Sequence, residues 1–504
     1  MKKKLFVSRV LIVFVLAGLA CASLYPTAAA ASNPVAGWHT WVLDSPDQLR
    51  IGPPPTTGND QTSAEIRELL KLQRQRTKAT AKTVSFWNGD RPSVRWTRVA
   101  LGQIVRHRPG AFPTRSARIL SLLHVAMYEA YVAARDSKAA YSRTRPADLD
   151  DRIRPLLETT GSAYPDPNSA VAGAAERMLT YLFPQEPTET FTDMADQAVE
   201  SLLWAGVNYR SDVKRARRLG HRVAGLVIAR GEADGHKLPW DFADQRPCST
   251  EDCSGADENY WRPTPAVFQY PPTDPMASKW DTWVLESPDQ FRPPPPPSYG
   301  SQEFLEELEA VRVANDESSA EDKALAFYWD DGPGSFSPAG HWNDIAIDVT
   351  RSRDAGSAKT LRTFAFMNAA ITDAFIAAWD AKYHYWSIRP VTAMRRETIA
   401  GVPNPSYEPG WTPNLGTLLF FAYVSGHAGE SAAGARVLQY YFPDTGQSSA
   451  GIADSLEAEG SIDELADQVA RSRLIGGIHF PSDNEAALIL GRKIAGEAID
   501  QAKN

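Results

Sequence analysis

The chain has 504 residues, 43% of them hydrophobic and 23% charged, with a net charge of −8. That is enough apolar material for more than one core, and it excludes a disordered or fibrous protein; at roughly 100–200 residues per domain, two or three domains are expected. The negative balance argues against a nucleic-acid or anionic-membrane surface, so any local concentration of positive charge calls for a specific explanation.

The N-terminus reads Met1-Lys2-Lys3-Lys4, then an apolar run from Val10 to Ala20, then small residues from Ala28 to Ala31. This is the order of a secretory signal, and cleavage is expected near Ser32. The run is shorter than the roughly 20 apolar residues a spanning helix needs. Loss of Lys2, Lys3, Lys4 and Arg9 would take the net charge from −8 to −12. Cys21 raises the alternative of a lipidated terminus, but Gly18 stands where such signals usually carry Leu. No later stretch has spanning length, so an exported chain, periplasmic or secreted and free of the membrane, is expected. Cys248 and Cys253 would then remain, either as a small loop disulfide or as two free thiols; with no His nearby and no second pair, a zinc site is not expected there.

An internal duplication organises the rest. GWHTWVLDSPDQLRIGPPP from Gly37 returns as KWDTWVLESPDQFRPPPPP from Lys279. FWNGD at Phe86 answers FYWDD at Phe327, the stretch ending at Pro146 answers the one ending at Pro390, and Tyr164–Pro184 lies over Tyr423–Pro443. Between the repeats the chain is rich in Pro, Asp, Ser and Gly, as a connecting region is. Leu361, Phe364, Ala365, Met367, Ala370, Ile371 and Phe375 recur at helical steps. The expectation is an all-α protein of two tandem helical bundles, with little β-structure. Its divisions are a signal peptide over 1–31, a degenerate first bundle over 32–237, a linker over 238–278 and a catalytic bundle over 279–504.

Three elements of the second repeat carry candidate chemistry. Lys382 and Arg389 stand seven apart at the end of a helical pattern that Pro390 is expected to stop, so that two cations converge. A solvated basic face is the ordinary reading of such a pair, but Trp379, Tyr383, Tyr385 and Trp386 point to burial. Ser425-Gly426-His427 opens a small-residue helix, where free N–H groups and the helix dipole favour an anion; taken singly, Ser425 is an ordinary N-cap. Arg473 is followed by two glycines and His479, with Asp483 placed four residues on to support an imidazole near a helix start at Pro481. Alone, Arg473 and a carboxylate would more often be a structural ion pair.

Lys, six residues, Arg-Pro; then Ser-Gly-His; then Ser-Arg, five residues, His, three residues, Asp: together these resemble the signature of the superfamily that joins type 2 phosphatidic acid phosphatases (PAP2), bacterial acid phosphatases and vanadium-dependent haloperoxidases. One departure is Val424, where many members have Pro. The resemblance implies that Lys382, Arg389, Arg473, Ser425 and Gly426 hold vanadate or phosphate. His479 would be the vanadium ligand, or the nucleophile of a phosphatase, His427 the acid/base, and Asp483 the support of the imidazole. It further implies halide oxidation by hydrogen peroxide to hypohalous acid, with Lys382 as the polarising cation.

The haloperoxidase branch is favoured because its members resemble two bundles in one chain, the second carrying the site. Trp379 and Phe420 resemble the apolar halide pocket of chloroperoxidases. HWNDIA at His341 and the Asn368, Asp373 pair also resemble bacterial relatives, without a chemical role assigned. In the first repeat Lys138, Arg145 and Pro146 persist, but Asp166, Pro167 and Asn168 replace Ser-Gly-His, Leu202 replaces Arg473 and Asn208 replaces His479. A non-catalytic scaffold follows. The alternatives are a soluble exported acid phosphatase acting through phosphohistidine on a phosphate ester, and a non-catalytic oxyanion-binding protein. No nucleic-acid partner is expected, and a homo-oligomer stays open.

Overall fold

The computed structural model describes residues 33–107, 112–240, 259–264, 271–443 and 461–503. The expected signal segment and the Cys248, Cys253 pair lie outside the described residues. Within them the two repeats give matching sets of helices. The first set is α1 (Asp60–Arg74), α2 (Lys78–Asn88), α3 (Pro92–His107), α4 (Pro113–Ala140), α5 (Pro146–Leu149), α6 (Pro167–Leu182), α7 (Thr188–Ala205) and α8 (Arg210–Ala233). The second is α9 (Gln302–Asp316), α10 (Ala320–Tyr328), α11 (Ser337–Ser352), α12 (Ser357–Tyr385), α13 (Pro390–Met394), α14 (Gly426–Tyr441), α15 (Ile462–Ile475) and α16 (Pro481–Lys503). Among the described residues, strand is confined to a hairpin pairing Thr398–Ile399 with Val402–Pro403. No helix among the described residues is long and apolar enough to cross a membrane.

The long helices α4 and α12 are apolar on nearly every side, which is the pattern of a helix with no solvent face. They pack on each other, with the Thr372 hydroxyl donating to the Ala117 carbonyl at 3.0 Å and His124 stacked 4.9 Å from Phe364. One apolar cluster therefore runs through both repeats instead of two separate cores.

The duplicated TWVL motif has a physical reason. In each repeat it forms an extended strap whose successive N–H groups have no ladder partner, and a buried carboxylate on the long helix accepts them. Glu129 takes the N–H groups of Trp41, Val42 and Leu43 at 2.5–3.0 Å. Asp373 takes those of Trp283, Val284 and Leu285 at 2.8–3.0 Å. Further along, Arg50 grips Asp136 and Arg292 grips Asp380, each through a two-pronged guanidinium contact. Asp373 is thus a strap anchor. Asn368 pairs its amide with that of Asn343 inside the core.

Helices α14 and α16 meet closely because Gly491 lacks a side chain: a Cβ there would stand 2.0 Å from the Gly429 carbonyl oxygen. This contact sets the start of α14 beside the first turn of α16, where the Ser425 N–H donates to the Asp483 carbonyl at 2.9 Å. Both repeats enter this element through a cis peptide bond, Tyr164–Pro165 in the first and Tyr423–Val424 in the second.

Candidate active site

The expected pair of cations on one continuous helix is corrected by the structure. Helix α12 ends at Tyr385, Trp386 turns the chain in the left-handed region at φ 51, and Arg389 caps α13 instead of ending α12. Pro390 opens a helix, a position where its fixed φ is favourable and its missing N–H costs nothing. Lys382 and Arg389 nevertheless converge, because both reach the segment before α14. Lys382 Nζ donates to the carbonyls of Phe421 and Ala422 at 2.8 and 3.0 Å. Arg389 Nε donates to the Phe420 carbonyl at 2.8 Å, and its Nη1 to the Ile478 carbonyl at 2.7 Å.

Both cations are fully buried, as are Arg473, Ser425 and His479. Arg473, in the last turn of α15, donates to the Ala326 carbonyl at 3.1 Å and to the Ser472 hydroxyl at 3.0 Å. The turn that follows needs Gly477, at φ +71 and hemmed in by Asn315 and Trp411, to bring His479 back under Arg389. Asp483 fixes the ring: its Oδ2 accepts from the Phe480 N–H and lies 2.9 Å from His479 Nδ1. The proton is thereby assigned to Nδ1, which leaves Nε2 as the free donor atom, 3.2 Å from Arg389 Nη1. His427 lies in the first turn of α14, with Nε2 3.1 Å from the Asp330 carbonyl, so its unprotonated nitrogen is Nδ1. Gly426 opens the same helix, where a backbone N–H has no intrahelical acceptor.

The electrostatics define what the pocket suits. Burial holds the Lys382 ammonium well below its ordinary range, with Arg389 pushing the same way. Burial also takes Arg389 down to about 9 and Arg473 down to about 10. Both imidazoles are depressed by burial and then by the surrounding cations. Burial raises the Asp483 carboxyl. Three cations thus share a desolvated space with one carboxylate on His479 and a second, Asp330, 3.7 Å from Arg473 Nη1. Arg389 Nη2 and Arg473 Nη1 are buried without a hydrogen-bond partner, a costly state that an oxyanion would relieve. The donor set of guanidinium, ammonium, hydroxyl and N–H, with the unprotonated Nε2 of His479 beside it, fits a tetrahedral oxyanion bonded to a ring nitrogen. Trp379 and Phe420 face each other at 5.0 Å, and the Phe420 ring lies 5.0 Å from Lys382 Nζ, so an apolar wall stands against the cation.

Asp330 escaped the sequence reading. Its signal is the repeat itself, since FYWDD places Asp330 over Gly89 of FWNGD. His341 of HWNDIA stays outside the pocket but brackets this loop: Nδ1 faces the Asp331 carboxylate at 3.0 Å and Nε2 the Tyr328 hydroxyl at 3.2 Å. The connecting region also contributes. The Trp261 N–H donates to the Trp386 carbonyl, and the Thr273 carbonyl accepts from Trp379 Nε1 at 3.0 Å.

In the first repeat the groups at the corresponding positions are spent internally. Arg145 donates to the carbonyls of Thr160, Gly161, Ser162 and Val207, Asp166 caps α6 through Ser169, and Asn208 donates to the Ala163 carbonyl. Asp212, at the place of Asp483, accepts from buried Arg143.

This combination of paired helical repeats and one buried cationic pocket defines a class of protein that comparison identifies. The family model for the vanadium chloroperoxidase N-terminal domain matches residues 79–229, and that for the VCPO second helical-bundle domain matches residues 362–504. The chain belongs to the vanadium-haloperoxidase-like family. It is similar to the vanadium chloroperoxidase of Curvularia inaequalis, 24% identical over 401 residues, which are 66% of this chain and 61% of that protein. The chain thus spans about three fifths of the curated relative's length. Among solved structures it resembles the first bacterial vanadium-dependent iodoperoxidase, with a TM-score of 0.61 and 24% identity over 89% of this chain and 98% of the other. The holo form of a bacterial vanadium-dependent chloroperoxidase follows at 0.57 and 16%, over 78% and 92%.

Proposed function

We propose that the protein is a vanadate-dependent haloperoxidase that oxidises halide with hydrogen peroxide to hypohalous acid. The observation that carries this reading is the pair of guanidinium nitrogens without hydrogen-bond partners, Arg389 Nη2 and Arg473 Nη1, in a pocket that also offers the unprotonated Nε2 of His479. Lys382, Arg389, Arg473, the Ser425 hydroxyl and the Gly426 N–H would hold vanadate, with His479 Nε2 as its ligand. Bound vanadate supplies a Lewis-acidic centre that activates hydrogen peroxide toward halide without a change of oxidation state.

What the chain supplies is electrostatic and positional. Lys382, held by two carbonyls, keeps a fixed positive charge toward the oxyanion space with Phe420 beside it. Asp483 keeps His479 Nδ1 protonated, so that Nε2 stays a donor. His427, neutral in the free protein because burial depresses it, gains a proton at Nδ1 beside a bound oxyanion and can return it, while the Asp330 carbonyl fixes the ring. Trp379 and Phe420 keep water away from the halide side. Export belongs to the same proposal and rests on the Lys-rich, apolar, small-residue order of residues 1–31.

The test is halogenation of a phenolic dye with peroxide and bromide, with and without orthovanadate, beside hydrolysis of a phosphate ester without vanadate. Vanadate-dependent bromination is expected. Ester hydrolysis inhibited by vanadate, with no bromination, would make the protein a phosphatase on a duplicated scaffold, and anion binding with neither activity would leave a binding protein.

Anion binding should also take up protons. A bound oxyanion restores the charged forms of His427 and Lys382, which burial disfavours in the free protein, so the bound-state pKa values lie above the free ones. Affinity is then highest at low pH and falls as pH rises through that interval. Calorimetry with sulfate, whose charge is fixed over this range, in buffers of different ionisation heat should show uptake that diminishes in His427→Ala; equal uptake in both proteins would remove His427 from this role.

A further inference from the structure

Each repeat has a groove between the strap that follows its anchoring arginine and its last long helix. In the second repeat the groove encloses about 460 Å³ and is walled by Pro293–Pro297 and by Ala486, Ile489, Leu490 and Lys493 of α16, with Glu303 and Glu485 at its sides. In the first it encloses about 750 Å³ and is walled by Ile51, Gly52 and Pro53 and by Arg215, Arg218, Leu219 and Arg222 of α8. The helices align without a gap, Ser211-Asp212 on Ser482-Asp483 and Leu219-Gly220 on Leu490-Gly491. The positions Ala486, Ile489 and Lys493 thus become Arg215, Arg218 and Arg222. The twin groove folds without the additional arginines, so the architecture does not require them.

Nor are they neutralised in place. Arg217, on the neighbouring face, and His221, which also lines the groove, are taken by Glu176. Arg50 at the groove's end is taken by Asp136. Arg215 donates only to the Pro53 carbonyl and the Tyr164 hydroxyl, and neither Arg218 nor Arg222 has a hydrogen bond or ion pair among the described residues. Three uncompensated arginines therefore stand in a row on α8, their backbone positions about 4.5 and 6 Å apart along the helix axis, on a chain whose net charge is −8.

The chemistry of the groove narrows its occupant. Arginine offers donors and no acceptor. The strap carbonyls are already engaged, Gly52 by the Tyr164 hydroxyl and Pro53 by Arg215. A peptide or a saccharide would bring N–H or O–H donors against a wall with few acceptors left for them. A chain of phosphoryl groups brings acceptors only and carries charge along its length.

We propose that this groove on the first repeat is a binding site for a linear polyphosphate chain, separate from the pocket of the second repeat. The test is the binding of end-labelled inorganic polyphosphate to the full chain, followed by fluorescence anisotropy, with orthovanadate in excess to occupy the second-repeat pocket. Arg218→Glu with Arg222→Glu removes no internal contact and should leave folding and dye bromination intact, yet weaken binding at least about tenfold and flatten its salt dependence. Lys493→Glu in the twin groove should change nothing. No binding to the wild type, equal binding to the double variant, or tighter binding of heparin or polyglutamate than of polyphosphate at matched ionic strength would overturn the proposal.

Discussion

His479→Ala is expected to lose vanadate affinity by at least about a hundredfold and, with it, vanadate-dependent bromination. The reason is that Nε2, kept unprotonated because Asp483 holds the proton on Nδ1, is the lone pair assigned to the centre of an oxyanion, whereas the remaining groups attract its oxygens. Removing the ring leaves Lys382, Arg389 and Arg473 in place, so sulfate binding, which needs only those charges, should weaken by about tenfold or less. Asp483→Asn should give an intermediate loss of vanadate affinity, about 10- to 100-fold, because it releases the tautomer while keeping the ring. Equilibrium dialysis of both anions separates the cases. Vanadate affinity retained in His479→Ala would mean that the anion is held by charge alone, and the ligand assignment would fall.

The pocket was legible because its pieces are local in sequence. Lys382 to Arg389, Ser425 to His427 and Arg473 to Asp483 are short spacings, and helix periodicity with a Pro or a cap is enough to say that each group works as a unit. How the units meet was less legible. Seven residues suggested two turns of one helix, but α12 ends before Arg389 and the left-handed Trp386 redirects the chain. The convergence comes instead from backbone carbonyls of residues 420–422, which hold both cations, and no side-chain pattern announces a carbonyl acceptor. Asp330 was missed for the same reason: its importance lies in facing Arg473 from a loop 143 positions earlier in the chain, and only its contrast with Gly89 in the first repeat marks it.

The all-helical fold and its duplication were equally readable, since near-identical strap motifs and helical apolar spacing need no tertiary knowledge. The purpose of those straps was not. Nothing in the side-chain pattern of TWVL marks that Glu129 and Asp373 accept three successive N–H groups from it. Partners about 90 residues apart leave no mark in a local window. The single apolar cluster through α4 and α12 likewise follows from two helices that are apolar on every side, each of which must be enclosed by the other repeat.

That enclosure makes Asp373 the position where a change of one side chain should cost the fold most. Asp373→Leu keeps roughly the volume and removes the acceptor, leaving the buried N–H groups of Trp283, Val284 and Leu285 without partners at about 1–3 kcal/mol each, so that a total near 4 kcal/mol is expected when relaxation is allowed for. Asp373→Asn keeps one acceptor oxygen but adds an amide that must find its own partner, and should fall between. Because α12 also carries Lys382, loosening the strap should weaken sulfate binding along with the urea midpoint, whereas Glu129→Leu in the first repeat should lower the midpoint with a smaller effect on the anion. An unfolding free energy within about 1 kcal/mol of wild type for Asp373→Leu would show that the strap finds other acceptors, and that this carboxylate is not what holds it.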